Sequence, residues 1–263
     1  MITYALPPGT KAVDLSSTGH AATWYQALLA QGIAAVFLDA ATPGVLADIA
    51  TALSMGLAVG LFQGYYTPAW AVPSTAAQRA AAIVAIAQQA GFPAHATVPV
   101  TLWLDLEACG GVPATTIYAW VTNWGQVVQA AGYQAGVYVG AGQPLSGAQL
   151  YALPTITAYW RSASQVPDVP TRGYQLVQGV WNQSVDGVAV DYDTVQADAK
   201  GGLPVCVSAS VGPTAAAWAH LQQDVTTLSE RLTATTHDLA ALKTAQAEQA
   251  ALIAAIKAVF QKE

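Results

Sequence analysis

The sequence predicts an α/β fold: a (β/α)8 TIM-like barrel, compact or partly degenerate, followed by a long C-terminal coiled-coil helix. The barrel is predicted by eight short β-rich runs between residues 12 and 196 and by the alanine-rich amphipathic stretches that separate several of them. The helix is predicted by residues 215–263, which contain no glycine or proline. We therefore expect a barrel domain over residues 1–205, a linker over residues 206–214 and an oligomerisation helix over residues 215–263.

The eight predicted strands share apolar or β-branched runs bounded by turn residues. They are residues 12–17, 34–40, 58–66, 100–107, 135–140, 157–162, 174–181 and 188–194. Helices are predicted at residues 76–91 and 116–132, each closed by a glycine. The segment is shorter than the about 250 residues typical of this barrel, so the last helices must be shortened or missing. A doubly wound open sheet is the alternative, but no glycine-rich phosphate loop follows the first strand.

The C-terminal stretch carries apolar residues in two interleaved series, each repeating every seven residues. The 13 positions, ten of them apolar, are Trp218, Leu221, Val225, Leu228, Leu232, Thr235, Leu239, Leu242, Gln246, Gln249, Ile253, Ile256 and Phe260. One helix folded back along the barrel is the alternative, but its length of roughly 70 Å exceeds that of a barrel. The three polar positions would fix the register, and isoleucine in both series near the end favours a trimer over a dimer. We therefore expect a homo-oligomer.

The composition narrows the classes of function. Charged residues make up 9% of the chain, against about 25% in ordinary proteins, so an acid inside an apolar run is a candidate functional group. The net charge of −6, without a Lys/Arg cluster, argues against a nucleic-acid partner. The four histidines are scattered, and Cys109 and Cys206 lie far apart, so we expect no metal site and no cofactor. We interpret both cysteines as free thiols, although the sequence also permits a disulfide.

Two acids end the predicted strand at residues 100–107. In a strand, alternate side chains share a face, so Trp103, Asp105 and Glu107 point one way while the leucines between them point the other. A barrel strand packs its leucine face outward against helices. We therefore expect Asp105 and Glu107 on the inner face near the C-terminal end of the strand, where barrel enzymes place their chemistry.

Other strand ends carry acids and aromatic residues. They are Asp14, Asp39, Asp191 and Asp193 with Tyr65, Tyr138, Trp160 and Trp181. Sugar rings stack on aromatic faces and carboxylates bind hydroxyl groups, so the set predicts a carbohydrate-binding cleft. Helix capping is the alternative for Asp39 and Asp14, and backbone hydrogen bonding is the alternative for Asp193. Trp103 is expected in the barrel core rather than in the cleft.

Paired carboxyl groups across a cleft are what glycoside hydrolysis requires. One stays protonated and donates to the leaving oxygen, while the other supports the oxocarbenium-like transition state. Glu107 is the predicted acid. Asp105, two residues earlier on the same face, is expected to raise the pKa of Glu107 through like-charge proximity.

Four motifs resemble a known family. The runs "AVDLSS", "LWLDLE", "GVYVG" and "VAVDYDTV" are similar, in order and spacing, to the muramidases of glycoside hydrolase family 25. They are closer still to a glycoside-hydrolase-like family catalogued as domain of unknown function 1906. The resemblance implies cleavage of a β-1,4 bond in peptidoglycan, with Glu107 as acid, Asp105 beside it, and Asp14 and Asp191 at matching catalytic positions. Asp193 stands where the muramidases commonly have asparagine.

Three classes of function follow. The first is a peptidoglycan glycosidase, made in the cytoplasm without a signal peptide and acting at the bacterial cell wall, for example as a phage lysin or part of a virion. The second is a catalytically inactive glycan-binding or structural barrel, such as a phage tail component, displayed by the coiled coil. The third is a magnesium- or calcium-dependent hydrolase or deacetylase, but no histidine ends a predicted strand to help bind the metal. Its ligands would be Asp105, Glu107, Asp191 and Asp193. No membrane span is expected.

Overall fold

The computed structural model describes residues 1–64, 72–209 and 225–236, together with residues 238, 239, 242, 243, 246 and 249. The chain divides into two compact units, Met1–Ala217 and Trp218–Glu263. Among the helices that the structure describes, none is both long and apolar enough to cross a membrane. The predicted site residue Tyr65 and the predicted end of its strand lie outside the described residues.

The first unit contains ten described strands and five described α-helices. The strands are β1 (Ile2–Ala5), β2 (Lys11–Leu15), β3 (Ile33–Asp39), β4 (Ala58–Gln63), β5 (Thr101–Leu106), β6 (Gln134–Val139), β7 (Ala158–Arg161), β8 (Leu176–Val185), β9 (Val188–Val195) and β10 (Val205–Ser208). The helices are α1 (Ala22–Ala30), α2 (Val45–Met55), α3 (Ala76–Gln89), α4 (Ala114–Ala130) and α5 (Gly147–Tyr151). All eight predicted strands are present, and β1 and β10 are additional.

Strands β2 to β9 close into an eight-stranded barrel, which confirms the predicted barrel. Neighbours from β2 through β8 are parallel, and β9 closes the ring as an antiparallel strand between β8 and β2. The complete arrangement of eight parallel strands with helical crossovers is not confirmed. The reason is local: Asp186 and Gly187, with φ of 47° and 84°, form a two-residue hairpin turn that reverses the chain between β8 and β9.

The unpredicted strands β1 and β10 form an antiparallel pair beside β4. Strand β4 pairs with β10 at Val59 and with β5 from Leu61 to Gln63, so its two halves have different neighbours. Both added strands are only four residues long, which leaves little periodicity for sequence reasoning to detect.

The barrel separates an inner core from an outer one, as the alternation in β5 predicts. Trp103 packs inside the barrel with Phe37, Phe62 and Trp160, whereas the leucines of β5 belong to the larger core that includes the helices. This confirms that the face carrying Asp105 is the inner face and that Trp103 is a core residue.

The predicted helices at residues 76–91 and 116–132 correspond to α3 and α4. Gly91 and Gly132 follow them with φ of 78° and 87°, the left-handed conformation that ends helices and that glycine adopts without strain. On α1, the side chains of Trp24 and Tyr25 are buried, and the indole of Trp24 donates to the carbonyl of Val185 at 2.9 Å. These aromatic residues therefore attach α1 to the barrel.

In the second unit, residues 225–236 are helical. Most of the predicted coiled coil lies outside the described residues, so the oligomer stays a prediction. Both cysteines of the first unit are free and buried, as expected.

Candidate active site

A cavity of about 220 Å³ opens at the C-terminal ends of the parallel strands. Its lining residues are Asp14, Leu15, Ser16, Phe62, Asp105, Glu107, Tyr138, Trp160, Gln178, Asn182, Ala189, Val190 and Asp191. Sequence reasoning named six of these: Asp14, Asp105, Glu107, Tyr138, Trp160 and Asp191. The barrel brings them together from β2, β5, β6, β7 and β9, which lie far apart in the chain.

Glu107 follows β5 directly, and two backbone hydrogen bonds hold this segment against the end of β6. The amide of Gly140 donates to the carbonyl of Leu106 at 3.0 Å, and the amide of Ala108 donates to the carbonyl of Ala141 at 2.8 Å. Ala108 has φ of 48°, a left-handed conformation that strains a residue with a Cβ. A side chain at position 140 would place its Cβ 2.4 Å from the Cβ of Glu107, so only glycine fits there.

The carboxyl group of Glu107 has a raised pKa. Burial is the main cause, and the negative charge of Asp191 adds to it. The contribution expected from Asp105 stays a prediction. Asp105 also lines the cavity but is only 9% exposed, and it lies one pleat deeper, about 7 Å along the strand by the usual rise.

Asp14 and Asp191 occupy paired positions on the antiparallel strands β2 and β9. The side-chain amide of Gln178 bridges them: its Nε2 atom donates to Oδ2 of Asp14 at 3.0 Å and to Oδ2 of Asp191 at 3.1 Å. The backbone amide of Asn182 donates to Oδ1 of Asp191 at 2.7 Å. Burial raises the pKa of Asp191, and the Asn182 hydrogen bond lowers it in part.

Asp193 lies beneath Asp14 and supports it. It is 2% exposed, and its Oδ1 atom accepts a hydrogen bond from the indole of Trp160 at 2.8 Å. Burial raises the pKa of Asp193 well above its usual value, and the charge of Asp14 raises it further. Burial also raises the pKa of Asp14 to about 7, although hydrogen bonds from Asp193 and Gln178 lower it. The two neighbouring carboxyl groups therefore disfavour each other's ionisation.

Trp160 connects this support to the aromatic core. It lines the cavity yet is only 2% exposed, and its ring contacts Phe37 and Tyr138 with centroids 5.1 Å apart in each pair. Trp160 therefore holds Asp193 in place through its hydrogen bond and its packing, and one edge of its ring forms part of the cavity wall.

Three predicted substrate-binding residues are not among the described residues of the cavity wall. Asp39 is buried, and its Oδ1 atom accepts hydrogen bonds from the backbone amides of Ala41 at 2.9 Å and Gly64 at 3.1 Å, so it ties together the segments after β3 and β4. Trp181 is 45% exposed on β8. Asp193 lies below the wall, where it accepts the hydrogen bond from Trp160.

Two residues of the wall were not predicted, Gln178 and Asn182. The signal for Gln178 was present, because it lies two residues after Leu176 and therefore shares the inner face of β8 with it. Asn182 has φ of 52°, which asparagine adopts more readily than most residues, but its contribution is a backbone amide that sequence reasoning does not locate. In the part of the chain that the structure describes, no group of three or more His, Cys, Asp or Glu side chains is arranged to hold a metal ion.

Comparison with known proteins extends these observations. An uncharacterized protein of B. stearothermophilus has a similar structure, with a TM-score of 0.56 and 17% identity over 72% of this chain and 96% of that one. The Mycobacterium tuberculosis Tat-secreted protein Rv2525c, in complex with L-tartrate, gives a TM-score of 0.55 and 14% identity over 72% and 96% of the two chains. At these identities the likeness shows a shared fold. A comparison with curated proteins finds no match.

The family itself is given by the sequence. Residues 16–202 match the family described as the Rv2525c-like, glycoside hydrolase-like domain. This confirms the glycoside-hydrolase-like resemblance that the strand-end motifs predict. The matched segment begins directly after β2 and ends before β10, and it includes every predicted site residue except Asp14. The chain belongs to the Rv2525c-like family of glycoside hydrolase-like domains.

Proposed function

We propose that the barrel is a glycosidase in which Glu107 is the general acid. The observation that carries this proposal is the placement of carboxyl groups around one cavity. Glu107 follows β5, whereas Asp14 and Asp191 are on β2 and β9, about half the barrel away in strand order. Two sets of carboxyl groups facing each other across a cleft are the arrangement that glycoside hydrolysis uses.

Glu107 fits the role of the acid because its environment favours the protonated form. Burial and the charge of Asp191 both raise the pKa of Glu107, so the proton is retained to a higher pH than on an ordinary glutamate. Glu107 donates this proton to the glycosidic oxygen as the bond from that oxygen to the anomeric carbon breaks. The electron pair of the bond stays on the departing oxygen.

Asp14 and Asp191 fit the role of the opposing carboxylates. Positive charge develops on the anomeric carbon, and these carboxylates stabilise it from the other wall. Both are held in place by the Gln178 amide, so they need little reorganisation during the reaction. Water then adds to the anomeric carbon, and its proton passes to one of the carboxylates.

The shape of the cavity supports a carbohydrate chain as substrate. Sites for drug-sized ligands enclose about 300–1,000 Å³, so a cavity of about 220 Å³ suits one sugar unit of a longer polymer. Phe62, Tyr138 and Trp160 give it an aromatic wall against which a sugar ring can pack. Among such polymers we propose peptidoglycan, because of the resemblance to muramidases, which would place the site of action at the bacterial cell wall.

A non-catalytic glycan-binding module is the second candidate. It is favoured by the exposed apolar side chains of the second unit, because a chain that self-associates would display several barrels to a repeating polymer and gain avidity without turnover. This candidate gives no role to the placement of Glu107 across one cavity from Asp14 and Asp191.

The test is cleavage of purified peptidoglycan, followed by turbidity and by the release of reducing ends. Glu107→Gln keeps the size of the side chain and removes the transferable proton. We expect the wild type to release reducing ends and the variant to bind the same glycan with little release. Binding without release by the wild type, across several wall types and from pH 4 to pH 8, would instead favour the non-catalytic module.

A further inference from the structure

We propose that Gln178 is a positioning residue that holds Asp14 and Asp191 together as one two-carboxylate unit facing Glu107. The proposal rests on the function proposed above, and it adds a residue that sequence reasoning did not identify. Gln178 is 3% exposed and lies on the inner face of β8, between the two acids and Tyr138 of β6.

The hydrogen bonds fix which way the amide of Gln178 points. Its Oε1 atom accepts from the hydroxyl of Tyr138 at 3.0 Å and from the backbone amide of Ala163 at 3.4 Å. Its Nε2 atom donates one hydrogen to Asp14 and the other to Asp191. The amide therefore has a partner for each donor hydrogen, and a reversed orientation would turn its oxygen toward two carboxylates.

The chemistry of this position requires an amide. Glutamine offers two N–H donors on one nitrogen, which is what a pair of carboxylates needs when no cation is beside them. Glutamate would bring a further negative charge, and leucine would remove both donors. Either change makes ionisation of the pair less favourable.

The other ionisable groups facing this pair come from three strands. They are Asp193 of β9, Asp105 and Glu107 at β5, and Tyr138 of β6. All are neutral or negative. Among the described residues, the two acids are therefore stabilised by hydrogen bonds from the side chain of Gln178 and the backbone amide of Asn182.

The test is a ¹³C NMR titration of aspartate carboxyl carbons in the full chain, with Asp14 and Asp191 assigned by substitution. In Gln178→Leu and in Gln178→Glu, we expect the titration midpoints of both aspartates to rise by about half a pH unit or more. Gln175→Leu is the matched control. Gln175 is also a fully buried glutamine that donates to a carboxylate, Oδ2 of Asp198 at 2.8 Å, but it is not among the described residues lining the cavity.

Turnover gives a second measurement. If the wild type cleaves glycan, we expect Gln178→Leu to lower kcat by about 10- to 100-fold with little change in KM, because the misplaced carboxylates act mainly on the transition state. If Gln178→Leu does not fold, the titration midpoints of Asp14 and Asp191 in Gln178→Glu test the positioning role. Unchanged midpoints of Asp14 and Asp191 would overturn the positioning role, whereas absent wild-type turnover with shifted midpoints would overturn the glycosidase alone.

A different observation, in the second unit, carries an independent inference: we infer that this helix binds a second copy of this chain, parallel and in register. Five large apolar side chains lie on one stripe and are 52% to 69% exposed: Val225, Leu228, Leu232, Leu239 and Leu242. Their spacing of three, four, seven and three residues is that of a coiled-coil seam.

Charge and polarity select the parallel arrangement. Asp238 and Lys243 are five residues apart and flank the seam, so in two parallel helices Asp238 of one copy lies beside Lys243 of the other. Thr235 occupies a seam position and faces its own equivalent in the same arrangement. In an antiparallel pair, the two copies of Thr235 meet only if Thr235 lies at the centre of the contact between the helices.

The oligomeric mass of the full chain tests this inference, measured by light scattering across a range of concentrations. We expect an oligomer, and we expect Leu228→Glu with Leu232→Glu to give a monomer. Leu46→Glu is the control, since Leu46 is a 37% exposed leucine in the first unit. Thr235→Cys should form an intermolecular disulfide on oxidation, because the native cysteines are buried. A monomeric wild type, or an oligomer in which Thr235→Cys does not cross-link, would overturn the inference.

Discussion

Adding a single methyl group at Gly140 tests the position of Glu107 without changing any polar group. The Cβ of alanine at position 140 would lie 2.4 Å from the Cβ of Glu107, 2.7 Å from its Oε2 atom and 2.9 Å from Cε1 of Tyr138. Ordinary contacts with a Cβ are 3.4–4 Å, so Glu107 must move by about 1 Å. The variant Gly140→Ala therefore displaces the proposed acid.

The magnitude follows from that displacement. A misplacement of 1 Å at a reacting group lowers rates by about 100-fold, which is about 2.7 kcal/mol of transition-state stabilisation. Overpacking in a buried site lowers the free energy of unfolding by about 1–3 kcal/mol. We expect kcat/KM for glycan cleavage to fall about 100-fold while the protein stays folded at 25 °C.

The assay is steady-state release of reducing ends, with thermal unfolding followed by circular dichroism. Gly179→Ala is the matched control, because the nearest atom to an added Cβ there is the carbonyl oxygen of Tyr192 at 3.9 Å. A folded Gly140→Ala with kcat/KM within about threefold of the wild type would refute the proposed role of Glu107 and its packing against β6.

Three further predictions concern the groups around the site. Asp14 has a pKa of about 7 in the folded protein and about 3.9 when unfolded, so its contribution to stability is complete below pH 4 and is lost as the pH rises through 7. The melting temperature of the wild type relative to that of Asp14→Asn should therefore fall over that pH range. A difference in melting temperature that does not change with pH would contradict this. Trp160→Phe removes the donor to Asp193, so urea unfolding should show a loss of about 1–3 kcal/mol, and an unchanged free energy of unfolding would contradict the hydrogen bond. Asp198→Ala leaves Arg172 without the carboxylate that lies 2.8 Å from its Nε atom. In the same assay, this variant should lower the free energy of unfolding by about 3–5 kcal/mol and leave the activity per folded molecule unchanged. A loss of that activity would show that this ion pair affects the cavity.

Much of the barrel could be predicted because its signals are local. The alternation in β5 placed Asp105 and Glu107 on the inner face, since a period of two residues is fixed by strand geometry. Each of the eight barrel strands also had its own apolar run. The direction of β9 was missed, because a turn such as Asp186–Gly187 reverses the chain without altering the pattern on either side.

The site was harder to predict than the fold because its members act through contacts distant in sequence. Gln178 and Asp14 are 164 residues apart, and neither the sequence nor the strand order shows that one donates to the other. The same reason explains Asp39, which has the residue type of a ligand but binds backbone amides. Residue type at a strand end therefore selects candidates, and the partners of each side chain decide among them.

The central claim is that Glu107 supplies a proton to the leaving group, and leaving-group dependence tests it most directly. The measurement is kcat/KM of the wild type and Glu107→Gln on a natural glycan and on a dinitrophenyl glycoside of the same sugar, whose leaving group needs no proton. We predict a loss of about 100- to 10,000-fold on the natural glycan and less than about tenfold on the activated one. An equal loss on both substrates would contradict the role of Glu107 as general acid.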